Sequence, residues 1–394
     1  MNDERRMGDA SVRAIHDPQS TNSGGLILQY RLYGKTGKRV SALGYGAMRL
    51  PKDHDESVEL MRRAMDLGVN FIDTAMGYVG AESEIMVGKA VKGRRDQVYL
   101  STKNACWKEW GADAWRQRLE SSLTKLDTDY IDFYAVVHGL SWESYTEHFN
   151  QPGGGLEAAF KAKEEGLIHH LCMSCHDTPE NMIKLIDEGW LEGMIVQYNL
   201  LDRRNEPAIQ YAHEKGLGVC IMGPVGGGRL AHPSERIAAM AGSPVSSIPD
   251  LALRFVLANP NVTCALSGMN TMQQVEENVA TCSREEHLSA EELQAIRDAT
   301  EESQRLADLY CTGCRYCLPC EQGVAIPEIF SMMNYHRVWG LTALARQQYA
   351  RLGPDNKEGQ RNAEACIECG QCEEKCPQHI PIIQQLKESH AALS

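Results

Sequence analysis

The stretch VNFIDTAMGY, residues 69–78, is a short apolar run that stops at Asp73 and passes through a glycine to Tyr78. Five residues make a buried strand, and a polar group closing the run belongs at a strand end rather than inside a core. The same form recurs along the chain. Apolar runs stand at VSALGYGA (40–47), VYLST (98–102), IDFYAVV (131–137), IHHLCMS (168–174), MIVQY (194–198), GVCIMG (218–223) and TCALSG (263–268). Helix-length segments separate them, for example SVELMRRAMDLG (57–68), apolar near i, i+3, i+4 and i+7. Eight strands alternating with helices over about 250 residues predict an α/β protein with a (β/α)8 TIM barrel. A doubly wound open sheet is the alternative. It is disfavoured because no GxGxxG turn follows the first strand.

The flanks complete the outline. LQYRLYGKTGKRV (28–40) predicts a β-hairpin turning at Lys35–Gly37 and closing the barrel floor. Ser289 and Glu292 have the spacing of a capping box, opening a helix that runs to about Leu306. The expected domains are a disordered extension over 1–27, a barrel over 28–308 and a smaller, mainly helical domain over 309–394. In the extension, Arg5 and Arg6 are followed by no apolar segment, so no export signal is read there.

Composition narrows the functional classes. A net charge of −13 speaks against a nucleic-acid-binding body. No apolar stretch nears the roughly 20 residues that span a bilayer. A cytoplasmic protein that binds neither nucleic acid nor membrane is expected. The 14 cysteines divide unevenly. Cys106, Cys172, Cys175, Cys220, Cys264 and Cys282 are scattered, with Cys172, Cys220 and Cys264 expected as buried, reduced strand residues. The other eight fall in two tight groups after residue 310.

Chemistry in such a barrel sits at the C-terminal strand ends. The second strand ends at Asp73 with Tyr78 just beyond, the third at Lys103 and the fourth at His138. Together with FIDTAMGY (71–78), STKN (101–104), YAVVH (134–138), VQYNLLDR (196–203) and VEEN (275–278), these ends resemble the aldo/keto reductases over about residues 30–300. The resemblance implies that Asp73, Tyr78, Lys103 and His138 form a catalytic tetrad. Carbonyl reduction adds hydride to carbon and a proton to oxygen. A phenol is a poor acid at neutral pH unless its ionised form is stabilised, and an adjacent Lys103 ammonium would do so. Asp73 would hold the lysine, Tyr78 would be the general acid/base, and His138 would orient the carbonyl oxygen.

The resemblance implies NAD(P)H as cofactor, with contacts at Gly46, Ala47 and Met48 after the first strand. Ser174 and Gln197 would meet the nicotinamide carboxamide, and Tyr198 would stack on the ring. Many members carry Ser-Asn where this chain has Ser174-Cys175-His176. In GPVGGGRL (223–230), Gly223, Pro224, Val225, Gly226 and Gly228 would approach the pyrophosphate. In SGMNTMQQVEEN (267–278), Ser267, Gly268, Gln274, Glu277 and Asn278 would hold the adenosine end. NADPH-using members often place Lys or Arg in this loop. Gly268, Met269 and Gln274 supply no cation, so the expectation leans to NADH. Trp107 or Trp110 could wall the substrate pocket. The substrate is expected to be a small carbonyl or alcohol compound, with nothing to say which.

The tail carries a separate signal. Cys366, Cys369, Cys372 and Cys376, followed by Pro377, read C-x2-C-x2-C-x3-C-P, the bacterial-ferredoxin run in which the fourth cysteine serves the other cluster. The run CTGCRYCLPC (311–320) spaces Cys311, Cys314, Cys317 and Cys320 one residue shorter at its end. Eight thiols fit two [4Fe–4S] clusters. The crossed arrangement joins Cys311, Cys314 and Cys317 with Cys376, and Cys366, Cys369 and Cys372 with Cys320. Zinc favours separated pairs over triplets; one cluster with spare thiols is a further alternative. The intervening segment reads as helical, so the tail resembles a helical dicluster ferredoxin module. Two functions stand side by side. The chain is a hydride-transferring carbonyl reductase whose clusters are structural or redox-sensing, or an oxidoreductase whose clusters exchange single electrons with a partner such as ferredoxin. A barrel serving only as a binding subunit would not need the complete tetrad.

Overall fold

The structure, a computed structural model, describes residues 27–106, 108–286, 288–308, 311, 315–376 and 379–394, with only the backbone described over 304–308. The expected N-terminal extension, Trp107 and Cys314 therefore lie outside the described residues. The described residues form two compact units that do not follow chain order. The first comprises residues to Tyr198, Arg203–Pro224 and Asn259–Glu285; the second comprises Asn199–Asp202, Val225–Ala258 and Glu286–Ser394.

The first unit holds the barrel. Strands β1 (Tyr30–Leu32) and β2 (Arg39–Ser41) pair antiparallel as the predicted hairpin, with Arg31 opposite Val40. Gly37 takes φ +73° in the turn, where a side chain would be strained. The hairpin delivers Tyr33 into the barrel floor, where it is 1% exposed. Its ring centroid lies 4.1 Å from that of Phe133. The floor is cut to fit. A Cβ on Gly218 would stand 2.1 Å from Tyr33 Cδ1, and one on Gly193 would stand 2.2 Å from Tyr33 Oη. Cys172, Cys220 and Cys264 line the same floor, buried as expected.

Eight parallel strands close above it: β3 (Leu43–Gly46), β4 (Phe71–Asp73), β5 (Tyr99–Lys103), β6 (Ile131–His138), β7 (Ile168–Cys175), β8 (Gly193–Gln197), β9 (Gly218–Met222) and β10 (Cys264–Ser267). β10 pairs with both β3 and β9, which completes the ring. Parallel strands are buried on both faces, so these segments are apolar runs rather than alternating ones. The pairing of β6 with β7 carries one irregularity. Ala135 faces Cys172 but His138 faces Ser174, so β6 has one residue too many across this step. Such a bulge re-aims the side chain beyond it, here His138 at the strand end.

The second unit is helical. The capping box forms as the sequence predicts: Glu292 N–H donates to Ser289 Oγ at 3.1 Å and Ser289 N–H donates to Glu292 Oε2 at 2.8 Å. It opens a helix over Ala290–Asp308. Helices Ile326–Arg337, Thr342–Tyr349 and Ile382–Leu393 surround a core that includes Ile329, Phe330, Ala345 and Leu386. The predicted helical segment is interrupted at Gly340, whose φ is +65°. The excursion after β9 joins this unit through hydrogen bonds. Arg229 Nη1 donates to Tyr335 Oη at 3.0 Å, and Ser234 Oγ donates to the Trp339 carbonyl at 2.7 Å. No helix of the described residues is long and apolar enough to cross a membrane.

Candidate functional site

The four strand-end residues of the first unit converge. Lys103 Nζ donates to Asp73 Oδ2 at 2.5 Å and to the Thr74 carbonyl at 2.7 Å. The other carboxylate oxygen of Asp73 accepts from Ser101 Oγ at 2.8 Å. Lys103 Nζ also stands 5.0 Å from the centre of the Tyr78 ring. Tyr78 meets His138 edge to face at 5.7 Å. The tyrosine is followed by Val79, Gly80 and Ala81, all at positive φ. For a β-branched residue such as Val79 this conformation is strained, and strain of this kind collects at functional sites.

Electrostatics sorts the protonation states. Burial raises the Tyr78 pKa, Lys103 pulls against it and Asp73 adds to it, and the net shift is upward. The sequence alone suggests a lowered phenol; in the folded chain burial outweighs the ammonium, and Tyr78 keeps its proton at neutral pH. Burial works to lower Lys103, but Asp73 and Tyr78 overcome it, so the ammonium is secured. His138 is pushed down to about 4 by burial, then by Lys103 and His176, and is neutral at pH 7. The cluster thus holds one protonated phenol, one fixed cation and one neutral imidazole.

The residues expected to meet a dinucleotide fall in both units. Ser174, 1% exposed, has a buried hydroxyl with no hydrogen-bond partner among the described residues, which suits it to an amide. Gln197 packs on Gly223, where a Cβ would lie 2.9 Å from its Oε1. Tyr198 is 2% exposed and donates to Glu206 Oε1 at 2.9 Å, which fixes its ring. Gly46 lies against Ser267, Ala47 is buried and accepts from Ser83 Oγ through its carbonyl, and Met48 is 57% exposed. In the loop after β10, Asn278 Nδ2 donates to Ser267 Oγ at 3.1 Å, and Gln274 Oε1 accepts from Asn270 N–H at 2.8 Å. Glu277 accepts from Gln273 at 2.7 Å. Pro224 ends the first unit's part of the glycine loop, while Val225, Gly226 and Gly228 belong to the second unit. Trp110 stacks on His148 at 5.3 Å.

The second unit gathers the tail thiols. Cys317, Cys320, Cys366, Cys369 and Cys372 line one pocket, together with Ile326, Lys375 and Leu386. Cys376 is buried within the helical core, against which Cys311 and Cys317 also pack. Among the described residues no three His, Cys, Asp or Glu side chains converge as a single metal ion would require. Cubane thiolates each bind a different iron, and the closely spaced cysteine triplets suit a cluster better than the separated pairs of a zinc site.

The sequence model of the aldo/keto reductase family matches residues 42–301. This chain belongs to that family. The family model of the 4Fe–4S dicluster domain matches residues 310–380. The chain is similar to an aldo-keto reductase of Bacillus halodurans solved in its holo form, at 29% identity and TM-score 0.61, over 69% of this chain and 96% of that one. It is similar also to an aldo/keto reductase of Klebsiella pneumoniae solved with NADPH, at 27% identity and TM-score 0.59, over 69% and 95%. The NADH-specific methylglyoxal reductase of Escherichia coli is 25% identical over 300 residues, 64% of this chain and 90% of that protein. The chain is therefore an aldo/keto reductase-type oxidoreductase carrying a 4Fe–4S dicluster domain.

Sequence reasoning missed two parts of this aldo/keto reductase's site. Ser101 was legible in principle, since it lies two residues before Lys103 and so on the same face of β5. The Thr74 carbonyl carried no signal, because any residue type supplies one.

Proposed function

We propose that this chain interconverts a carbonyl and an alcohol using NAD(P)H, with Tyr78 as the general acid/base. The observation that carries this reading is the buried Lys103, held by Asp73 at 2.5 Å and by the Thr74 carbonyl, beside a protonated Tyr78. When bound, a reduced nicotinamide dinucleotide supplies the hydride. The unsatisfied Ser174 hydroxyl and Gln197 are suited to its carboxamide, and the fixed ring of Tyr198 to its plane. The glycine-rich loop from Gly223 is assigned its pyrophosphate. His138, neutral, aligns the substrate oxygen. Tyr78 delivers its proton to that oxygen as hydride reaches the carbon, and Lys103 stabilises the phenolate left behind. In the reverse direction the phenolate accepts the proton. Tyr78→Phe keeps the ring and removes the proton, so turnover of a carbonyl panel, followed by nicotinamide absorbance, should fall about 10²- to 10⁴-fold with cofactor binding retained. A variant that turned over normally would remove Tyr78 from this role.

Cys366, Cys369 and Cys372 with Cys320 would hold one [4Fe–4S] cluster, and Cys311, Cys314 and Cys317 with Cys376 the other. The four thiols of the first set line one pocket, which Cys317 also borders and Cys376 does not, and the exclusion of Cys376 supports the crossed pairing. Such clusters supply single-electron transfer or structural cross-linking when bound. Exchange with a redox partner protein is favoured by one observation: Cys369 is exposed, beside an Ile367 that is 62% exposed.

A further inference from the structure

The loop after β10 has no cation of its own for an adenosine phosphate. Gly268, Met269 and Gln274 occupy its first turns, and Gln274 is engaged with the Asn270 N–H. The nearby arginine of helix His54–Asp66, Arg63, is committed to Glu276, with Nη2 2.8 Å from Oε1. A second arginine comes from elsewhere in the chain. Arg49 follows β3, at the same end of the barrel as the tetrad, and is exposed. Its methylenes lie along the face of Gly268: a Cβ built there would be 3.6 Å from Arg49 Cβ and 3.7 Å from both Cγ and Cδ. The guanidinium begins one bond beyond that Cδ. The glycine leaves the space open, and an arginine from a neighbouring strand end fills it.

We infer that Arg49 supplies the cation for the ribose 2′-phosphate of NADPH, in place of a basic residue within the loop after β10. This rests on the nicotinamide reading of the site given above. A guanidinium forks onto two phosphate oxygens and is more weakly hydrated than an ammonium, which suits it to a dianion at a barrel mouth. Arg49 thereby turns round the lean to NADH that the loop's own residues suggest.

The test is calorimetric titration of the full-length chain, purified anaerobically, with 2′,5′-ADP and with 5′-ADP, in wild type, Arg49→Ala and Arg49→Lys. Both fragments carry the adenosine, and only the first carries the 2′-phosphate. Arg49→Ala should weaken 2′,5′-ADP about 10- to 100-fold, the worth of one or two charge-assisted hydrogen bonds, and 5′-ADP less than about twofold. Arg49→Lys should fall between, keeping the charge and losing the fork. An equal loss for both fragments, or none for 2′,5′-ADP, would overturn the assignment. So would a wild-type chain that binds the two fragments alike, and that result would leave the nicotinamide reading intact. A wild type that bound neither fragment, NADH nor NADPH would remove that reading, and this one with it.

Discussion

Replacing Asp73 by Asn tests the core of the site. The pair it belongs to is almost dry, with Lys103 and Asp73 side chains 1% and 6% exposed. Asparagine keeps the shape, but its one amide oxygen can accept from only one of Lys103 and Ser101, and it removes the charge that offsets the buried ammonium. Breaking a buried ion pair from one side costs about 3–5 kcal/mol, because the remaining charge is left uncompensated. The sign of the pH effect follows from the lysine. Its pKa is raised in the folded state, chiefly by Asp73 against burial, so the stabilisation is present through neutral pH and is lost only as pH rises past the folded value. Without Asp73, burial acts nearly alone on Lys103, and the alkaline limb of the activity profile should move to lower pH. The double variant Asp73→Asn/Lys103→Met removes both charges and should recover most of the lost stability, since apolar replacement of a buried pair is often neutral. It should recover no activity, because nothing then stabilises the Tyr78 phenolate. Urea unfolding and kcat/KM against pH measure the two halves separately. If Asp73→Asn unfolded within about 1 kcal/mol of wild type and kept its pH profile, the ion pair would not be what holds this site.

Other perturbations probe the frame. Gly218→Ala should destabilise the barrel by about 1–3 kcal/mol, because the new methyl would sit 2.1 Å from a Tyr33 ring wedged against Phe133; an unchanged urea midpoint would mean the floor is not packed this way. His138 has a folded pKa of about 4, below its ordinary value near 6.5, so the unfolded chain protonates first. Stability should therefore decline as pH falls from about 6.5 towards 4, and His138→Gln should flatten that decline in thermal melts taken across the range.

The barrel was legible because burial on both faces writes each parallel strand as an apolar run, and the tetrad because each member terminates such a run or follows it closely. The hairpin and the capping box were readable from local turn and cap chemistry. What the sequence concealed depends on contacts between distant segments. The extra residue in β6 before His138 lies within IDFYAVVH, where no Gly or Pro marks a break. Val79 in a left-handed conformation is the reverse of what its side chain prefers, so propensity points away from it. Arg49 reaches Gly268 only because β3 and β10 are neighbours in a closed ring. The raised Tyr78 pKa is a matter of burial, which residue types at strand ends do not report.

The division of the chain bears on what the clusters do. Residues 225–258 follow β9 in sequence yet belong to the unit that holds the thiols, bonded through Arg229 to Tyr335 and Ser234 to Trp339. The helix that receives them, Ile326–Arg337, packs into a core that Cys376 enters and that Cys311, Cys317, Cys320, Cys366 and Cys372 border. Under the proposal above, clusters held by these thiols would cross-link that core through metal–thiolate bonds, a structural contribution independent of any electron transfer. Hydride brings electrons in pairs and a cubane takes one, so a handoff between a nicotinamide and a cluster would need a mediator that can do both. Under the proposal above, a one-electron partner protein would instead approach the thiols directly, and the exposed Cys369 is the place it would meet them.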